Sequence, residues 1–114
     1  MRQLAVEELL PLCAAQASQD TPQVTLLDVR EAWEVAAAAL DIDGVPTVCI
    51  PMREIPQRLA ELDAAQLIVC LCHHGVRSLQ VVAFLSQQGF TNVYNLAGGI
   101  DAWSLRVAPQ VPRY

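Results

Sequence analysis

The densest chemistry in the chain is the segment Cys72-His73-His74-Gly75-Val76-Arg77-Ser78, which gathers a thiol, two imidazoles, a glycine, a guanidinium and a hydroxyl. It follows the continuous apolar run Leu67-Ile68-Val69-Cys70-Leu71, the mark of a strand covered on both faces. A helical pattern runs on from it to about Gln88. Cys72 is therefore placed at the carboxyl end of a strand, the edge of a parallel sheet where ligand sites gather. A strand-to-helix loop aims several backbone N–H groups at one point, and the helix start adds partial positive charge. A cysteine there is favoured as the thiolate, the nucleophilic form. Gly75 lets the loop turn tightly and lets an anion approach the backbone. Arg77 adds a permanent positive charge with donors for an anionic substrate. His73 and His74 add charge or move protons. Being adjacent, the two histidines are expected to point in different directions, with at most one facing the thiol. The backbone amides from His73 to Ser78 form the expected cradle.

The other cysteines read differently. Cys70 lies in the apolar strand pattern, Cys13 on the apolar stripe of the first helix and Cys49 in a strand, so all three are expected in the core. Cys70 and Cys72 with the two histidines suggest metal ligation at first sight. The usual zinc spacing, with a second ligand pair elsewhere, is missing from the sequence, so no metal is expected. A disulfide framework fits small secreted chains with poor cores, whereas 54% of these 114 residues are hydrophobic.

The elements that must hold the Cys72 loop follow from periodicity. Val6, Leu9, Leu10, Cys13 and Ala17 recur at helical spacing, which predicts an amphipathic helix over about 5–18. Pro11 should kink that helix or mark its true start. Val24 to Val29 and Thr47 to Ile50 read as strands, with a short helix from Glu31 between them. Arg53 to Leu62 reads as a helix. After the helix that ends at Gly89-Phe90, a good stop, Asn92 to Leu96 is a strand, and Gly98-Gly99 opens a last helix through Trp103. Trp103 reads as a core or rim anchor, and Trp33 as a residue that could line the pocket mouth. Pro109 and Pro112 make the tail irregular from about 107. Strands alternating with helices predict an α/β fold with a mostly parallel sheet, in one domain spanning 1–114.

Charge narrows the function. Seven Lys and Arg against twelve Asp and Glu give a net charge of -5. That argues against a nucleic-acid surface and against an anionic membrane partner. Arg2 with the following apolar residues and the Ala15-Gln16-Ala17 triplet mimic a secretion signal, but Glu7, Glu8 and Pro11 interrupt it. The expected setting is a soluble, reducing, cytoplasmic one.

Cys72-x-x-Gly75-x-Arg77 resembles the active-site loop of single-domain rhodanese-like sulfurtransferases. Three further pieces match in order: Val6-Glu7-Glu8-Leu9-Leu10, Asp28-Val29-Arg30-Glu31, and Leu96-Ala97-Gly98-Gly99-Ile100-x-Ala102-Trp103. The resemblance covers nearly the whole chain. It implies a five-stranded parallel sheet with helices on both faces. It implies that Cys72 takes a sulfane sulfur from a small anionic donor such as thiosulfate, carries it as a persulfide, and passes it to cyanide or to a small or protein thiol, with no cofactor. Asp28 and Arg30, as in the family, are expected to brace the loop, since a carboxylate beside an anionic substrate would repel it.

Two other classes stay open: a persulfide-relay or regulatory module whose acceptor is a partner protein, and a phosphatase-like enzyme. Phosphatase relatives of this fold separate cysteine and arginine by five residues, whereas four residues lie between Cys72 and Arg77, a smaller ring that fits one sulfur atom better than a phosphate. Leu40-Asp41-Ile42-Asp43-Gly44-Val45-Pro46 departs from the family's His-Ile-Pro-Gly-Ala-type segment, so no site residue is carried over there.

Overall fold

The computed structural model describes residues 3–16 and 24–114. In chain order these form β1 (Gln3–Leu4), α1 (Val6–Gln16), β2 (Val24–Asp28), α2 (Ala32–Ala37), β3 (Thr47–Cys49), β4 (Leu67–Leu71), α3 (Val76–Gln87), β5 (Val93–Leu96) and α4 (Gly99–Arg106). The strands build one sheet in the order β1-β5-β4-β2-β3. Every pairing is parallel, as the alternation of strands and helices requires.

Strands β2 and β4 are buried at every position, because their alternating side chains feed two cores. On one face Leu26, Val69 and Leu71 meet Val6 and Leu9 of α1 and Ile100 and Trp103 of α4. On the other Leu27, Ile68 and Cys70 meet Val81, Val82 and Leu85 of α3. Helices therefore cover both faces. Burying each such Leu or Ile contributes roughly 1.5–3 kcal/mol, so the strand ends that carry the loops rest on a firm floor. The registers Asp28↔Leu71 and Asp28↔Cys49 align the carboxyl ends of β4, β2 and β3 along one edge.

Several local expectations are corrected. Residues 3–4 pair with β5 as a short edge strand, which two residues cannot signal by periodicity. Helix α1 begins at Val6, so Pro11 does not mark its start and lies within it on an exposed position. Ala17 and the end of that predicted helix lie outside the described residues. The predicted helix over 53–62 is two 3₁₀ stretches, Met52–Glu54 and Pro56–Glu61. Pro51 and Pro56 each restart the backbone, and Arg58 (φ −118°, ψ 18°) leaves helical geometry. Cys49 is exposed rather than core, because β3 is the three-residue edge strand. Cys13 and Trp103 are buried as expected.

The end of α3 follows the predicted stop: the N–H groups of Phe90 and Gly89 donate to the Leu85 and Ser86 carbonyls at 3.0 and 3.3 Å, closing the helix in a Schellman motif. The atypical segment before β3 turns through a bridge between Ile42 and Val45. It buries Leu40 and Ile42 beside Val24 and Leu26. The tail beyond α4 is irregular but pinned: Val107 and Ala108 donate to the Trp103 carbonyl, and Ser104 Oγ donates to the Val111 carbonyl at 2.5 Å. Among the described residues no helix is long and apolar enough to cross a membrane.

Candidate active site

The last residue of β4 hands the chain directly to Cys72, which is 1% exposed and continues the core packing of Cys70. Its Sγ faces the start of α3. The Gly75 amide donates to it at 3.1 Å, the Ser78 amide at 3.4 Å, and Ser78 Oγ lies at 3.3 Å. Of the expected cradle from His73 to Ser78, these two amides are the ones that reach the sulfur. Gly75 sits at φ 98°, a left-handed conformation that turns its N–H inward at little cost to a residue without Cβ.

Ser78 is held by β5. Its hydroxyl lies 2.5 Å from Asn95 Oδ1, and Asn95 Nδ2 donates to the Gly75 carbonyl at 3.1 Å and to Gln3 Oε1 at 3.0 Å. A serine hydroxyl has one hydrogen to give, so Asn95 and Cys72 Sγ compete for it. Asn95 was not among the residues singled out from the sequence. The signal was present, however: it is a polar residue inside the apolar run of β5, and a buried amide must find partners.

The loop's other wall is α4. Ile100 N–H donates to the Cys72 carbonyl at 2.9 Å and Asp101 N–H to the His73 carbonyl at 3.1 Å. A Cβ on Gly99 would stand 2.4 Å from the Cys72 carbonyl oxygen and 2.5 Å from that of His73. Only glycine admits this approach.

Arg77 is not the free charge expected from the sequence. Its two terminal nitrogens donate to the two oxygens of Glu34, both at 2.8 Å. Glu34 also accepts from the Glu31 amide at 2.9 Å and from Tyr114 Oη at 3.0 Å. The Arg77 hydrogen bonds hold the Glu34 carboxyl down at about 2, against the burial that pushes it up. Glu34 in turn raises the Arg77 pKa. This planar two-bond fork is the strong form of such a pair.

Asp28 and Arg30 form a second, deeper pair with Nη2–Oδ2 at 2.7 Å and Nε–Oδ1 at 2.8 Å, both side chains almost wholly buried. Burial opposes the Arg30 charge, and the Asp28 and Tyr114 hydrogen bonds overcome it, leaving its pKa raised. Arg30 Nη1 lies 3.3 Å from the Glu34 carbonyl and 3.1 Å from Tyr114 Oη. The pair thus connects to the loop at one remove, through Glu34 and Tyr114, and not by touching it. Neither Glu34 nor Tyr114 was foreseen, since each reaches the network across many residues of sequence.

His73 and His74 do not diverge as expected. Their rings stack with centroids 4.0 Å apart, and His73 stacks again on Tyr114 at 4.0 Å. Burial and the neighbouring His74 both lower the His73 pKa. Trp33, 67% exposed, meets Tyr114 edge-on at 6.0 Å. Val76 presents another exposed apolar side chain, also 67% exposed. Cys70 is fully buried, and burial followed by the Cys72 charge pushes its thiol up to about 12. A small apolar pocket lined by Met52, Ile55, Pro56, Gln80, Val81 and Phe84 lies elsewhere and holds no nucleophile.

A thiol fixed by two amides and a hydroxyl at the start of a helix can attack a soft electrophile and hold the resulting anion. Residues 13–106 match the family model described as a rhodanese-like domain. The chain is 36% identical over 106 residues to a protein of Allochromatium vinosum named a sulfurtransferase, covering 93% of this chain and 95% of that one. It is also 36% identical over 118 residues to the chloroplastic rhodanese-like/PpiC domain-containing protein 12 of Arabidopsis thaliana, covering all of this chain but 38% of that longer one. The crystal structure of a rhodanese-related protein from Thermoplasma volcanium superposes with a TM-score of 0.76 at 28% identity, covering all of both chains.

Proposed function

The chain belongs to the rhodanese-like domain family and to its sulfurtransferase class, and on that premise we propose that Cys72 is the nucleophile that carries the transferred sulfur. The Cys72 thiolate attacks the outer sulfur of a donor such as thiosulfate. The donor's S–S bond breaks, sulfite leaves with the electron pair, and Cys72 becomes a persulfide. A thiophilic acceptor, cyanide or a thiolate, then attacks the terminal sulfur, and the Cys72 thiolate is regenerated. No net oxidant is consumed. The observation that carries this reading is the pair of backbone amides, of Gly75 and Ser78, that converge on one sulfur, with the Ser78 hydroxyl beside them. Such donors are already in place when negative charge arrives, so no reorganisation is needed at the moment of transfer. His73, His74, Val76 and Arg77 complete the loop around the donor, and Asp28 and Arg30 support it through Glu34. The four residues between Cys72 and Arg77 favour a single sulfur over a phosphate.

The buried Cys70 thiol, pushed far above neutrality, is a poor resolving partner, so the persulfide persists until an external acceptor arrives. The test is intact mass spectrometry after exposure to thiosulfate or to a small-thiol persulfide, with peptide mapping to separate Cys72 from the exposed Cys49. The expected result is a gain of one sulfur on Cys72, lost on adding cyanide and absent in Cys72→Ser. Sulfur transfer by Cys72→Ser at the parent rate would overturn the mechanism. A persulfide that forms but turns over poorly with cyanide would favour a relay to a protein thiol.

A further inference from the structure

We propose that His73, His74 and Asp101 form a binding site for one divalent transition-metal ion, of the Zn²⁺ or Ni²⁺ kind, at the rim of the Cys72 loop. The inference stands apart from the sulfur-transfer reading. Each of the three residues offers one ligand atom, and these atoms all lie within 4.8 Å of one another. His74 Nε2 and Asp101 Oδ2 are 3.7 Å apart. Ligands about 2.0–2.1 Å from a tetrahedral ion sit about 3.3 Å from each other, so the cluster is near enough to close once the His73 and His74 rings, stacked 4.0 Å apart at 23°, turn their in-plane nitrogens toward one point. Two imidazoles and one carboxylate suit borderline divalent ions and leave a coordination position to water.

The sequence lacked a distant ligand for the Cys-x-Cys-His-His stretch, and the fold supplies one from α4. Its placement is not a chance of exposed side chains. The Asp101 amide is bonded to the His73 carbonyl and the Ile100 amide to the Cys72 carbonyl, so the backbone fixes the carboxylate against the two histidines. Arg113 stands on Asp101 at 2.8 Å, with the Arg113 side chain 55% exposed and that of Asp101 15%. A pair whose cation is this exposed is worth about 1 kcal/mol, so the guanidinium yields to a dication. The thiols take no part: Cys70 and Cys72 are buried in the core beneath the loop.

The experiment is calorimetric titration of the full chain with Zn²⁺ near neutral pH, in a Cys49→Ser background that removes the exposed thiol. One ion per chain is expected. His74→Ala and Asp101→Asn are each expected to weaken binding by about tenfold or more, the loss usual for a perturbed site. Cys72→Ser leaves the affinity unchanged, and Arg113→Ala, which removes the competing cation, tightens it. Circular dichroism confirms that each variant is folded. The proposal is overturned if no one-to-one binding is seen, if folded His74→Ala and Asp101→Asn bind as the parent does, if Cys72→Ser abolishes binding, or if Arg113→Ala weakens it.

Discussion

Arg77→Ala tests how the loop is held. In the folded protein the guanidinium makes two 2.8 Å hydrogen bonds to a carboxylate that is 5% exposed. Removing it leaves Glu34 buried with, among the described residues, the Glu31 amide and Tyr114 Oη as donors. The Glu34 carboxyl lies at about 2 against an ordinary 4.5. At about 1.4 kcal/mol for each tenfold change in the ionisation equilibrium, that difference corresponds to about 3 kcal/mol, within the range for breaking a buried pair. Because the folded pKa is the lower one, this stability is complete above the unfolded pKa and drains away as pH falls toward the folded one. Because the Glu31 amide and Tyr114 also hold that carboxyl down and remain, and Arg77 is partly exposed, the variant should lose at most about 3 kcal/mol near neutral pH and less than half of its loss near pH ~3. Urea denaturation at the two pH values measures both. Adding Glu34→Gln to Arg77→Ala removes the stranded charge and should recover part of the loss, as a coupled pair requires. A cost below about 1 kcal/mol near neutral pH would place the pair with ordinary surface ion pairs and refute the reasoning. So would a cost that does not shrink in acid.

Ser78→Ala should slow persulfide formation by roughly tenfold, since one hydrogen bond to a charged atom is worth about 1.5 kcal/mol or more. Stopped-flow measurement of sulfite release checks it, and an unchanged rate would mean that the hydroxyl serves Asn95 alone. Tyr114→Phe removes the group shared by Arg30 and Glu34 and should cost about 1–2 kcal/mol in urea unfolding, the loss expected when buried partners are left short. No loss of stability would show that the tail merely rests on the site.

Much of the fold was legible because its signals are local. The uninterrupted apolar run of 67–71 could belong only to an element covered on both sides, and the segment after it had to be a strand-to-helix loop. Glycine at 75 and the Gly98-Gly99 pair marked turns that the structure places on either side of Cys72. What escaped is relational. Nothing near Arg77 announces Glu34, 43 residues away, or Tyr114, which bonds the same carboxylate. Cys49 looked like core because alternation cannot tell an edge strand from a central one. The two histidines were expected to diverge because they are adjacent. In a tight loop, with Tyr114 stacked on His73, they lie together instead.

The same contacts change how the site must hold an anion. Arg77 is neutralised by Glu34, Arg30 by Asp28 and Arg113 by Asp101. On the proposed mechanism, the charge that meets a sulfur anion then comes not from a free cationic side chain but from oriented dipoles: two amides, a hydroxyl and the start of α3. Dipoles act at contact range, while net charge acts at a distance and is screened by salt over about 10 Å at 0.1 M. The net charge of -5 repels a dianionic donor on approach. With a chelator present to keep the rim free of metal, raising the salt from ~0.02 to ~0.5 M should therefore lower the KM for thiosulfate or leave it unchanged. An Arg77 free to attract the donor would give the opposite sign, because screening would remove the attraction. A severalfold rise in KM with salt would show that the guanidinium leaves Glu34 when the donor binds.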